Sequence, residues 1–83
     1  MIVLDHTLFV DGFNEAIVGT TDDGRVVYSK VLMIEELVVD GEMTTEDAMI
    51  HCEYNIWNTY VGDYTPVFIN DFDSDLHEIN QYL

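Results

Sequence analysis

The chain predicts an α+β fold, a small antiparallel sheet with two helices packed on one face and a short C-terminal helix or tail. Three observations predict it. Two β-branched runs, Ala16 to Thr20 and Val26 to Tyr28, flank the turn sequence Thr21-Asp22-Asp23-Gly24. Two later stretches, after Ser29 and after Thr44, place apolar residues at three- and four-residue spacing, the mark of one buried helical face. Finally, 83 residues with 48% hydrophobic and 12% aromatic content can bury one core but not two, so residues 1–83 form a single domain.

Taken in order, Ile2 to Leu4 and Leu8 to Val10 read as extended segments separated by Asp5-His6-Thr7. Asp11-Gly12 is a turn dipeptide, and the hairpin of Ala16 to Thr20 with Val26 to Tyr28 follows. Ser29 caps a first helix whose inner face is Val31, Leu32, Ile34, Leu37 and Val38, and Asp40-Gly41 ends it. Thr44, with Asp47 three residues on and Glu46 in the first turn, resembles a capping box. The second helix then carries Ala48, Met49, Cys52, Ile56, Trp57 and Tyr60 on one face and stops at Gly62. Thr65 to Ile69 is a strand, entered or edged by Pro66. Residues 70–83 form an acidic C-terminal tail, helical from Ser74 or Asp75 through Leu76, Ile79 and Leu83.

Charge dominates what the composition says about function. Seventeen Asp and Glu stand against Arg25 and Lys30 alone, a formal net charge of -15. Such a surface repels nucleic acid and anionic lipid and attracts basic protein surfaces. Acidity of this size also serves solubility, so charge alone does not choose between the two roles. With Cys52 as the only cysteine, no disulfide can form within the chain, and the domain must be held by packing. The apolar opening is interrupted by Asp5 and His6 and lacks a basic lead, unlike a signal peptide, and no run is long enough to cross a bilayer. Cytoplasmic location is the expectation.

Motifs for chemistry fail on inspection. Asp71-Phe72-Asp73-Ser74-Asp75 alternates carboxylates like a calcium loop, but Leu76 replaces the required glycine and Tyr82 the bidentate glutamate. His51, Cys52 and Glu53 are of ligand and nucleophile types, yet adjacent residues on a helix point apart, which leaves Cys52 as a core residue. There is no phosphate loop, serine elbow or dinucleotide fingerprint. The chain therefore reads as a binding protein without enzymatic activity, cofactor or metal. Trp57 reads as core, whereas Tyr54, Tyr60 and Tyr64 are the aromatic types that anchor interfaces.

The segments Asp11-Gly12-Phe13-Asn14-Glu15-Ala16-Ile17, Met43-Thr44-Thr45-Glu46-Asp47-Ala48, Glu53-Tyr54-Asn55 and Tyr60-Val61-Gly62-Asp63-Tyr64-Thr65-Pro66-Val67-Phe68 resemble small acidic proteins of bacteriophages and mobile elements. The resemblance covers about Asp11 to Ile69. No activity is assigned to that family, so it transfers no functional residue; what it implies is a phage-borne origin. In that setting the chain is similar in kind to anti-CRISPR and anti-restriction inhibitors, which present carboxylates where DNA phosphates would lie. DNA-binding grooves hold phosphate through sequence-independent contacts from Lys and Arg, so carboxylates can take those positions.

The partner-binding candidates are accordingly Glu35, Glu36, Asp40 and Glu42 near the end of the first helix. Glu46, Asp47 and Glu53 join them on the second helix, and Asp71, Asp73, Asp75 and Glu78 in the tail. The expected partner is a basic host protein surface belonging to a nucleic-acid enzyme, with no direct contact to nucleic acid or membrane. The alternative is a structural or adaptor protein that homodimerises through Tyr54, Tyr60 and Tyr64.

Overall fold

The computed structural model describes residues 2–4 and 7–71. Strands β1 (Ile2–Leu4) and β2 (Thr7–Phe9) form an antiparallel pair with Val3 opposite Leu8. After Asp11 the chain turns at Gly12, whose φ of 87° lies in the left-handed region that glycine adopts without penalty. A short 3-10 turn over Asn14–Ala16 follows, and it buries Phe13 and Ala16. Residue 16 therefore closes a turn, and β3 begins at Ile17 (Ile17–Thr20).

β3 pairs antiparallel with β4 (Val26–Ser29), with a bulge between Ile17 and Gly19. The expected turn lies between them. Thr21 N–H donates to the Arg25 carbonyl (2.8 Å), Arg25 N–H donates to Thr21 Oγ1 (2.9 Å), and Gly24 takes φ 86°. The period-two alternation of a strand sends Val26 and Tyr28 into the core while Val27 stays half-buried. Val10, Phe13, Ala16 and Met33 complete that core, and Phe9, Ile17, Leu37, Ile56, Trp57 and Phe68 pack around it. The Tyr28 hydroxyl accepts the Val10 N–H at 2.8 Å, which ties the first hairpin's exit to the middle of the larger sheet.

Both helices start where their caps predict. Ser29 Oγ accepts the Leu32 N–H (3.1 Å) at the head of α1 (Lys30–Val39), and Thr44 Oγ1 accepts the Asp47 N–H (3.1 Å) at the head of α2 (Thr45–Cys52). α1 and α2 pack on one another, with Ala48 and Cys52, one helical turn apart, fully buried. α1 ends just before Asp40-Gly41, and position 41 is held to glycine because a Cβ there would sit 2.7 Å from the Leu37 carbonyl oxygen. Glu42 then takes φ 55°, and the Met43 N–H closes back on that same carbonyl.

The buried face of α1 is shifted from the expected one, since Met33 and Ile34 are buried and Leu32 is exposed. Two larger expectations also change. The second helix does not run regularly to Tyr60. Its α-form stops at Cys52 and widens into a π-helical turn over Glu53–Trp57. There the side chains of Asn55 and Asn58 donate to the carbonyls of His51 and Glu53, competing with the regular backbone ladder. The sheet, in turn, is mixed where a wholly antiparallel one was expected. β5 (Val67–Ile69) lies parallel to β4, with Tyr28 beside Phe68 and their rings stacked at 5.6 Å. The physical reason is the long return from Trp57 to Pro66, which carries the chain back to the entry of β4. Arg25 Nε marks that point by donating to the Thr65 carbonyl (2.6 Å). Parallel neighbours need a crossover of a dozen or more residues, and the two helices with this return supply it. The α+β class stands with strand order β3-β4-β5. No helix among the described residues is long and apolar enough to cross a membrane.

Candidate protein-binding face

α1 is the element on which the charged residues are organised, and its first turn is fixed by a residue 40 positions further along the chain. The Asp71 carboxylate accepts the Ser29 hydroxyl and, at 3.2 Å, the Val31 N–H. A carboxylate at this place satisfies an orphan backbone donor and opposes the positive end of the helix dipole. Beside it, Lys30 Nζ lies 4.6 Å from the Trp57 ring centroid, and Trp57 Nε1 donates to Met33 Sδ (3.4 Å). Among the described residues, both cationic side chains work on neutral partners, Arg25 on a backbone carbonyl and Lys30 on an aromatic face.

Further along α1, Leu32, Glu35, Glu36, Val39 and Asp40 meet Glu15 of the 3-10 turn around an open hollow of about 290 Å³. The spacing of Leu32, Glu36 and Val39 places them on one helical face, and Glu36 and Asp40 stand one turn apart. The Asp40 carboxyl is placed to hydrogen-bond the Glu36 carboxyl when Glu36 is protonated. That bond raises the Glu36 carboxyl above the ordinary carboxylate range, helped by desolvation and by repulsion from Asp40 and Glu15. The hollow is therefore a place where negative charge is crowded enough to hold a proton more tightly than usual.

Across the ridge formed by Glu35 and Val39 lies a second hollow of about 270 Å³, lined by Val31, Ile34, Val38 and Thr45 in addition to those two. Its lining is aliphatic apart from Glu35 and Thr45. Val39, on the crest between the two hollows, is 74% exposed.

Of the residues singled out in the sequence, Glu35, Glu36 and Asp40 are brought together, and Glu15 joins them unannounced. In sequence Glu15 lies between the Asp11-Gly12 turn and β3; only the 3-10 turn, which packs against α1, carries it there. Glu42 is exposed in the left-handed link after α1, Glu46 and Asp47 occupy the first turn of α2, and Glu53 is exposed at its end. None of these four lines the acidic hollow. Asp71 is committed to the head of α1. Asp73, Asp75 and Glu78 lie outside the described residues, as does the helix expected after Ser74 or Asp75. Tyr54 and Tyr60 are 82% and 78% exposed, whereas Tyr64 is partly covered, its ring beside Gly24.

Cys52 is fully buried, and desolvation pushes its thiol up to about 11, which leaves it a packing residue. The neighbouring His51 faces a different set of groups. It borders an open cavity of about 390 Å³ with Asp11, Asn55 and Thr59 over Val10, Phe13, Ile56 and Val61, and its Nδ1 lies 3.3 Å from the Asn55 amide. Among the described residues no group of three or more His, Cys, Asp or Glu side chains is arranged to hold a metal ion. No protein-family model, curated protein or solved structure matches the chain.

Proposed function

We propose that the protein is a phage-encoded, non-enzymatic inhibitor. In the host cytoplasm it covers a basic, nucleic-acid-facing surface of a defence or nucleic-acid enzyme, in the manner of a DNA mimic. The observation that carries this reading is the acidic hollow on α1. Glu15, Glu35, Glu36 and Asp40 converge there, while Arg25 meets a backbone carbonyl and Lys30 an aromatic ring elsewhere. Carboxylates crowded in this way gain most from an arriving Lys or Arg, because each new cation relieves repulsion within the cluster and forms a charge-assisted contact. Steering by the net charge of -15 would speed the encounter and make it sensitive to salt.

The test is affinity capture from bacterial lysate with the purified chain as bait, at low and raised salt, followed by charge reversal of Glu35, Glu36 and Asp40 to Lys. Recovery of a nucleic-acid enzyme that DNA displaces and the reversed protein fails to hold supports the reading. Retention unaffected by charge reversal and by DNA refutes it. The exposure of Tyr54 and Tyr60 favours a second reading, a structural protein that self-associates through its aromatic surface. A monomer by light scattering at high concentration argues against that version.

A further inference from the structure

The two hollows on α1 differ in chemistry and share a wall. On one side are the carboxylates of Glu15, Glu36 and Asp40; on the other an aliphatic trough is formed by Val31, Ile34 and Val38, with Thr45 at its far end. Glu35 and Val39, one turn apart, belong to both. From the geometry we infer that this face receives an amphipathic basic helix of the partner, whose aliphatic side chains fill the trough while its Lys or Arg side chains reach over the ridge into the acidic hollow. The inference rests on the inhibitor reading and adds what the partner must present.

Several features select that occupant. The trough runs along α1 from Val31 to Val38, seven residues at about 1.5 Å each, or roughly 10 Å of axis. That length accepts two or three anchors spaced i, i+4 and i+7 on a facing helix, the pattern by which amphipathic helices bind in grooves. Val39 is a large apolar side chain left mostly in water on a crest, where a partner's aliphatic groups would cover it. The charge beside the trough chooses the sign of the occupant. A second copy of this chain would bring another -15 against the same carboxylates, whereas a basic helix brings the opposite sign to them. The raised proton affinity of Glu36 adds a linked signature, since a cation seated there lowers that affinity again.

The probe is a synthetic helical peptide with Leu at i, i+4 and i+7 and Lys along the adjoining face. It is compared with a peptide of identical composition whose Leu residues are dispersed around the helix. Fluorescence anisotropy against the intact protein should show the amphipathic peptide binding at least about tenfold tighter, a difference worth about 1.4 kcal/mol. Val39→Asp, a change at an exposed position with little bearing on folding, should abolish that difference. Glu36→Gln with Asp40→Asn should weaken both peptides. Equal binding of the two peptides overturns the inference while leaving a purely electrostatic inhibitor standing. Binding of neither peptide overturns the inference as well, and the inhibitor reading is then decided by the lysate capture and its charge reversal. A dimer that Val39→Asp dissolves would show this face to be a self-interface and likewise overturn the inference.

Discussion

Tyr28→Phe removes one oxygen from the centre of the molecule and leaves every carbon in place. The Tyr28 ring is fully buried and stacked on Phe68, so the substitution keeps the packing and the stack. What it deletes is the acceptor of the Val10 N–H, at a position where Val10 is itself buried. A buried amide stripped of its partner costs about 1–3 kcal/mol, against which removing the hydroxyl's own desolvation gives back a part, so the net loss should be about 2 kcal/mol. For a domain of this size the whole stability is about 4–12 kcal/mol, at roughly 0.05–0.15 kcal/mol per residue. The variant should therefore melt about 8–16 °C below the parent, each kcal/mol moving the midpoint by about 4–8 °C. Thermal unfolding followed by circular dichroism measures the shift, and amide hydrogen exchange locates it. Protection should fall first at Val10 and along β2, where the tie to the larger sheet is lost. A midpoint within about 2 °C of the parent, with Val10 still protected, would refute the claim that this bond joins the first hairpin to the core.

Other expectations follow from single groups. Asp71→Ala removes an acceptor of both the Ser29 hydroxyl and the Val31 N–H, and should destabilise the fold by about 1–2 kcal/mol in urea unfolding. Glu42→Gly relieves a left-handed non-glycine residue and should stabilise by up to about 1 kcal/mol, whereas Gly41→Ala pushes a methyl group onto the Leu37 carbonyl and should destabilise, both read as thermal midpoints. Because the folded-state pKa of Glu36 lies above its unfolded value, the folded form holds more protons between the two. Stability from this group is then fully present below pH 4.5 and is lost as pH rises through the folded pKa. Glu36→Gln should flatten that slope and raise stability at neutral pH, as chemical unfolding across a pH series would reveal. The Cys52 thiol, buried and raised to about 11, should react with a disulfide reagent at pH 8 only slowly until denaturant is added; rapid reaction in the native state would show the α1–α2 packing to be wrong.

What could be read from the sequence was whatever depends on neighbours within a few residues. Ser29 and Thr44 announce their helices because a cap acts three residues away, and Thr21 to Gly24 announce the hairpin because a turn is local. The carboxylates Glu35, Glu36 and Asp40 could be grouped because they share one helix. Glu15 could not join them in advance, since its approach to α1 depends on a 3-10 turn stabilised by buried Phe13 and Ala16. Asp71 is grouped in the sequence with the partner-binding carboxylates of the tail, because nothing near it reveals that its carboxylate will meet residues 29 and 31. The parallel course of β5 was hidden for the same reason. A strand's own residues are alike in either direction, and here the direction is set by the return that brings Thr65 to Arg25. The π-helical turn was concealed because Ile56 and Trp57 keep a regular helical spacing while Asn55 and Asn58 divert the backbone.

The bond between Asp71 and Ser29 spans 42 positions of the chain, and β5 just before it fills the open side of β4. Both are therefore late events for a chain made from its N-terminus. Until residues 67–71 have been synthesised, β4 has one bare edge and α1 lacks the carboxylate at its head. The hairpin and the two helices, being local, can form while synthesis continues. During that interval the strand that will become the middle of the sheet is an edge, with Val27 beside unpaired backbone groups, the kind of surface to which other strands add. Residues 67–71 close the sheet and secure the first helix in one step.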